Sequence, residues 1–379
     1  MLFDENLAVA DRGGTHGGES KDARRPKTRE IRADSAKLTA VSTPAEAYRL
    51  PGISPKAYEH PADRAATAAL SSIPMLDYVV RKLIEFGYER ALRQTYLGAG
   101  VRLGTDQLPD IWTRYQHVLG VLDMPEEYDL YLTAEPLLNA MAIGAGKPIL
   151  VLNSATVELL GDDQLEGVIA HEVAHILSDH VLYRTALQIL LRLTATSRLP
   201  SVAGMPLLAV QYALLEWSRA TELTCDRAAA IVTRDPRTVC MMLMTMSAGA
   251  KADDLNLDAF MRQAMEYTET GEGLDRLQRL LTDLRQTHSL PVKRVHELLA
   301  WVREGEYDRI IGGEYLRRGQ ERPVREEAAD AATHYSERFR ELFKEAGEHV
   351  SGAGQQLSDW LRNLQDDDKS SRGGPKPPD

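Results

Sequence analysis

The chain is poor in cysteine: among 379 residues, only Cys225 and Cys240 occur. Two thiols exclude a disulfide-stapled scaffold and a zinc site built mainly from thiolates, and they fit a reducing compartment. Excess positive charge is lacking too. Lys and Arg number 45 against 56 Asp and Glu, and the formal net charge of −11 disfavours phosphate backbones, so no nucleic-acid partner is expected. Long hydrophobic runs are also missing. The longest uncharged window lies between Arg198 and Glu216; it has 17 residues, two of them proline, and is too short and broken for a spanning helix. The first residues carry acids early and hold no apolar stretch of leader length, which predicts a cytoplasmic chain without a cleaved signal.

What is present is ample apolar material. Hydrophobic residues make up 43% of the chain, enough for a sizeable core in at most two or three domains. Residues 1–45 read as a disordered basic arm, because Lys21 to Lys37 holds seven basic and three acidic side chains with almost no large apolar ones. Residues 46–320 read as one domain. Residues 321–365 carry two amphipathic stripes at helical spacing, Tyr335 to Val350 and Leu357 to Leu364, and residues 366–379 read as a disordered tail.

Within the domain, helical periodicity begins near His60, and Pro74 separates two helices. A further helix is expected from Gln107 to Val121 with Pro109 in its first turn. The period then changes. YDLYLTAE alternates, while LLNAMAIG and KPILVLNSA are short apolar runs joined by GAGK, which predicts a small sheet of about three strands, antiparallel or mixed. GAGK lacks the spacing of a phosphate loop and has Pro148 where a hydroxyl should follow, so it is assigned to a turn. Asp163 and Glu166 then read as a capping box opening a long helix. More helices are expected over 210–232, 236–250, 255–285 and 292–303, with the methionines of 241–246 as core filling. The segment 186–215 reads as a buried hairpin, the alternative being peripheral membrane contact there or through the C-terminal stripes. The fold class is α+β, mostly α-helical.

The informative string is His171-Glu172-Val173-Ala174-His175. A four-residue spacing puts both imidazoles on one helix face within reach of a single ion. Glu172 projects about 100° from His171, able to address a water on that ion and poorly placed to ligate it. Val168, Ile169, Val173, Ile176 and Leu177 give this helix a buried face that carries the histidines inside. His180 lies off the ligand face and reads as a core histidine. A catalytic metal site needs a third ligand. Glu222 is the best candidate, with Cys225 and Asp226 as alternatives. Glu222 and Asp226 share a helix face, so one carboxylate could ligate while the other holds the free ring nitrogen of a ligand histidine.

Together, HEVAH, SRATELTCDRAA and LNAMAIGAGKPILVLNSATVELLGDDQLEGVIA resemble the zinc metallopeptidases related to HtpX, the type-one CAAX prenyl proteases and the Oma-type quality-control proteases, over residues 60–305. The resemblance implies a zincin-like gluzincin fold, one zinc ion on His171, His175 and Glu222, Glu172 as catalytic base, and Asp226 behind a ligand. It also implies an edge strand for substrate at Asn139, Ala140 and Met141, and a His-Pro-x-x-x-x-Arg element at His288 to Arg294 that stabilises the oxyanion. Ser289 stands where that element usually has proline, and Ala174 and Cys225 replace the family's usual small residues. The implied activity is hydrolysis of an extended or unfolded polypeptide in quality control, by the soluble branch of the family. A catalytically silent peptide-binding scaffold on the same fold is the alternative.

Overall fold

A computed structural model describes residues 48–71, 80–81, 88–195, 201–249, 254–269 and 289–321. The expected basic arm, both C-terminal stripes, the tail and His288 lie outside the described residues. The chain divides into Met1–Tyr48 and Arg49–Asp379, and all named elements belong to the second unit.

In chain order these are α1 (Pro61–Ser71), α2 (Tyr88–Ala99), β1 (Val101–Arg102), α3 (Pro109–Val121), β2 (Leu130–Thr133), β3 (Ala140–Ile143), β4 (Ile149–Asn153), α4 (Ser154–Leu159) and α5 (Asp162–Leu177). They continue as α6 (Val181–Ala195), α7 (Ser201–Thr233), α8 (Pro236–Ala248), α9 (Leu257–Glu269), α10 (Pro291–Arg303) and α11 (Glu306–Ile311). Proline starts α3, α8 and α10 at positions where its missing N–H costs nothing. Asp235 caps α8 by accepting from the N–H of Arg237 at 2.9 Å.

The sheet is mixed, in the order β1-β2-β4-β3, with β2 parallel to β4 and the other pairs antiparallel. It has one strand more than expected, because the two residues of β1 are too few to show an alternating pattern. β4 is buried at all five positions, whereas β3 forms the edge. Gly144 makes the β3–β4 turn possible: its φ is +134°, and a Cβ there would come within 2.8 Å of Pro148.

The long α5 lies against β3 on one side and against α7, α8 and α3 elsewhere. Gly167 lets α8 approach, since a Cβ would meet the sulfur of buried Met242 at 3.3 Å. The expected capping box is absent. α5 begins two residues earlier, behind Gly161 with no side-chain cap, so Asp163 falls inside the first turn. Glu166 reaches sideways, its Oε1 lying 2.6 Å from Nδ1 of His117 on α3. The segment 186–215 is a helix pair, with residues 196–200 outside the described set. Ala186, Leu187, Ile189 and Leu190 of α6 pack with Leu214, Leu215 and Trp217 of α7 and Ala66 and Leu70 of α1. Among the described residues, no helix is long and apolar enough to cross a membrane.

Candidate active site

His171 and His175 stand one turn apart on α5, both buried, with ring centroids 4.9 Å apart. Glu222, equally buried on α7, faces them. Its Oε2 lies 3.5 Å from Nε2 of His171, and its Oε1 lies 3.5 Å from Nε2 of His175. Tetrahedral ligands about 2.0–2.1 Å from a zinc ion stand roughly 3.3 Å from one another, so this donor set has the spacing and chemistry to hold one ion. A second grouping, His171, His175 and Cys225, has ligating atoms within 4.8 Å of one another. It fits less well. Cys225 Sγ lies 3.8 Å from Nδ1 of His180, which itself faces Nδ1 rather than Nε2 of His175, and burial together with Glu222 pushes the thiol well above its ordinary pKa.

Behind the first ring, Nδ1 of His171 is 3.1 Å from Oδ1 of Asp226, one turn beyond Glu222. Arg294 of α10 clamps that carboxylate with two hydrogen bonds, Nε to Oδ2 at 2.7 Å and Nη2 to Oδ1 at 2.6 Å, and sets Nη1 3.1 Å from Oε2 of Glu222. Burial alone would raise Asp226, but the guanidinium holds it below the usual carboxylate value. For His171, burial favours the neutral ring, yet Asp226 and Glu222 outweigh it and lift the pKa to about 9. His175 moves the other way, well below its ordinary value, through burial and the charge of Arg184. Arg184 of α6 donates from Nη1 to Oε1 of Glu222 at 2.7 Å and to Nε2 of His175. A bound ion would take over this pairing, and the guanidinium would have to withdraw.

Glu172 turns from this cluster toward the sheet, where its Oε2 accepts the N–H of Ala142 at 2.8 Å. The alternation of an antiparallel pair explains the contact. Asn139, Met141 and Ile143 point their main-chain groups at β4, and Ala140, Ala142 and Gly144 point theirs away from it. Gly144 is taken by Thr185, whose hydroxyl accepts from its N–H at 3.0 Å and donates to its carbonyl at 2.7 Å. Ala140 and the carbonyl of Ala142 are then the remaining main-chain groups on the side of β3 away from β4, and both residues are buried.

Several expected site residues are placed differently. Asn139 precedes β3, and its main chain is engaged by the Thr156 hydroxyl and the Asn153 N–H. Met141 pairs inward with Val151 and packs its side chain on the cluster of Leu92, Tyr131 and Ile149. Arg294, 5% exposed, pairs its guanidinium with Asp226 and Glu222. Arg184 escaped sequence reading because it belongs to a different helix from the HEVAH string and reaches the site only by the reversal after α5.

Two histidines and a carboxylate on α5, faced by Glu222 of α7 and lying against a small mixed sheet, are the arrangement of a zincin-like metallopeptidase. Residues 107–302 match Peptidase family M48. The chain is 33% identical over 259 residues to the plastoglobule-localized metallopeptidase 48, chloroplastic, of Arabidopsis thaliana, an overlap of 67% of this chain and 74% of that protein. It is also similar to two proteins named Protease HtpX homolog. The one from Bacillus velezensis is 30% identical over 119 residues, 29% of this chain and 39% of that protein, and the one from Bacillus subtilis is 36% identical over 84 residues, 22% and 27% respectively. No solved structure matches. The chain belongs to peptidase family M48, a family of metal-dependent peptidases.

Proposed function

We propose that the protein is a zinc metalloendopeptidase that cuts extended or unfolded polypeptide, with one ion on His171, His175 and Glu222. The carrying observation is the convergence of both Nε2 atoms on one buried carboxylate, each at 3.5 Å. When bound, the ion supplies a Lewis acid that polarises the scissile carbonyl and acidifies a water. Glu172 takes the proton of that water at Oε2, exchanging its bond to Ala142, and returns it to the nitrogen of the leaving amine. Asp226, fixed by Arg294, holds the proton on Nδ1 of His171 and so keeps Nε2 free as a ligand.

A peptide strand would pair with the main chain of Ala140 and the carbonyl of Ala142, which are buried and require this side of β3 to open first. Recognition of this kind reads backbone more than side chains, which suits unfolded substrates and a role in quality control. The test is zinc content measured beside cleavage of unfolded casein, for the wild type and Glu172→Gln. Zinc-dependent cleavage lost in the variant supports the reading. A zinc-loaded wild type that binds casein and never cuts it would favour the silent scaffold.

A further inference from the structure

α5 ends in a turn that brings an unassigned side chain beneath a proposed metal ligand. Asp179 sits in the left-handed region at φ +59°, its N–H reaches the carbonyl of Ile176 at 3.1 Å, and the N–H of His180 reaches the carbonyl of His175 at 2.9 Å. These two bonds make a Schellman end. On a continued helix His180 would lie about 140° away from His175. The reversal instead returns its ring to Nδ1 of His175, with Nδ1 to Nδ1 at 3.1 Å, both side chains buried.

The proton on each nitrogen follows from the two ends of the chain of contacts. At one end Nε2 of His175 faces Oε1 of Glu222 at 3.5 Å, and as a metal ligand that atom must present a lone pair. Nη1 of Arg184 stands near both ring nitrogens, at 2.5 and 3.4 Å, and does not choose between them. The ring proton of neutral His175 is then on Nδ1, and it is donated to Nδ1 of His180. His180 therefore carries its own proton on Nε2, which lies 3.0 Å from Oδ2 of Asp63 on α1. The Cys225 thiol lies 3.8 Å from Nδ1 of His180, whose one lone pair is taken by the His175 proton.

Asp63 closes the chain as an acceptor. Its Oδ1 accepts from the Thr67 hydroxyl at 3.1 Å and its Oδ2 from the Thr224 hydroxyl at 2.6 Å. Those hydroxyl oxygens accept in turn from Nε1 of Trp217 at 2.8 Å and the N–H of His60 at 3.0 Å, which leaves their protons for the carboxylate. Trp217 also stands edge-on to His180, with ring centroids 5.7 Å apart and planes at 88°. The whole assembly is buried, Asp63 and Trp217 each at 1% exposure.

We propose that His180 and Asp63 are positioning residues for His175: the directional chain from Asp63 through His180 fixes the tautomer and orientation that aim the His175 Nε2 lone pair at the metal. His171 is held by Asp226 directly, whereas His175 is held by a carboxylate one imidazole further away. This rests on His175 being a metal ligand.

Two measurements on the full-length chain test it. The first is zinc affinity, by competition with a chromophoric chelator. His180→Leu removes the acceptor, and the expected loss is about 10- to 100-fold, the range for a ligand's supporting partner. Asp63→Asn, nearly isosteric, removes the charge and should lose less. His180→Gln keeps an acceptor toward His175 and a donor toward Asp63, so it should stay within a few-fold of wild type. The second is nitrogen NMR of the zinc-loaded wild type, which should show His180 protonated at Nε2 and His175 at Nδ1. Should His180→Leu fail to fold, the other two variants and the wild-type tautomers still decide. Wild-type affinity in both Asp63→Asn and His180→Leu, or a proton on Nδ1 of His180, overturns the proposal. If His175→Ala keeps full zinc affinity, the failure lies in the ligand assignment beneath it.

Discussion

Arg294 and Asp226 meet as a buried two-bond pair at 2.7 and 2.6 Å, and the same guanidinium reaches Glu222 at 3.1 Å. α10 is thereby tied to two acidic residues of α7, Glu222 and Asp226. Truncating Arg294 leaves Asp226 buried without its cation, while Glu222 keeps Arg184, and removing one partner of a buried pair costs about 3–5 kcal/mol. Arg294→Ala is therefore expected to lower the melting temperature and weaken zinc binding together. The oxyanion role expected from sequence predicts unchanged melting and zinc content with slower turnover. Calorimetric melting and a zinc titration of the variant separate the two, and an unchanged melting temperature would return Arg294 to the cleft.

The two candidate ligand triads differ at one residue and are separated by metal content after extensive dialysis. His171→Ala, His175→Ala and Glu222→Gln should each lose stoichiometric zinc, whereas Cys225→Ser should keep it. Both Nε2 atoms face Glu222, whereas Cys225 faces His180. Zinc lost from Cys225→Ser and kept by Glu222→Gln would move the third ligand to the thiol.

The parts of the site readable in the sequence are those that regular geometry places. A four-residue spacing on a helix fixes the relation of His171 to His175 and of Glu222 to Asp226, and a change of period marks the strands beside them. The remainder depends on reversals and long-range packing. His180 reaches His175 through a left-handed Asp179, and Thr224 meets Asp63 across 161 positions of chain. Arg294 was visible as a residue, but its pairing with Asp226 was not, because that contact is made across 68 positions of chain. The two-residue β1 carried too little pattern to be seen at all.

Glu172 is held by a main-chain donor, so a substitution that preserves shape keeps its anchor. In Glu172→Gln the amide oxygen can still accept the Ala142 N–H, now at 2.8 Å from the carboxylate. The variant should retain fold and zinc while turnover falls by about 100- to 10,000-fold, the usual contribution of a positioned acid–base group. Zinc content, melting and a casein assay on one preparation check this. Loss of zinc would mean that Glu172 supports the metal, and its assignment as the base would be wrong.

The last prediction concerns protons that compete with the metal. Asp226 and Glu222 lift His171 to about 9, against burial, while burial and Arg184 keep His175 well below its ordinary value. In chelator-stripped protein at neutral pH, His171 therefore carries a proton that zinc must displace, and His175 carries none. Because the folded pKa lies above the unfolded one, this proton stabilises the stripped fold fully below about pH 6.5, and the contribution fades as pH rises through about 9. Zinc binding follows the reverse course. Apparent affinity should rise about tenfold per pH unit through the neutral range and flatten above pH 9. Calorimetry at pH 7.5 in buffers of different ionisation enthalpy should register about one proton released from the protein per ion bound. A zinc affinity independent of pH between 6.5 and 8.5, with no proton released, would show that His171 does not hold this proton.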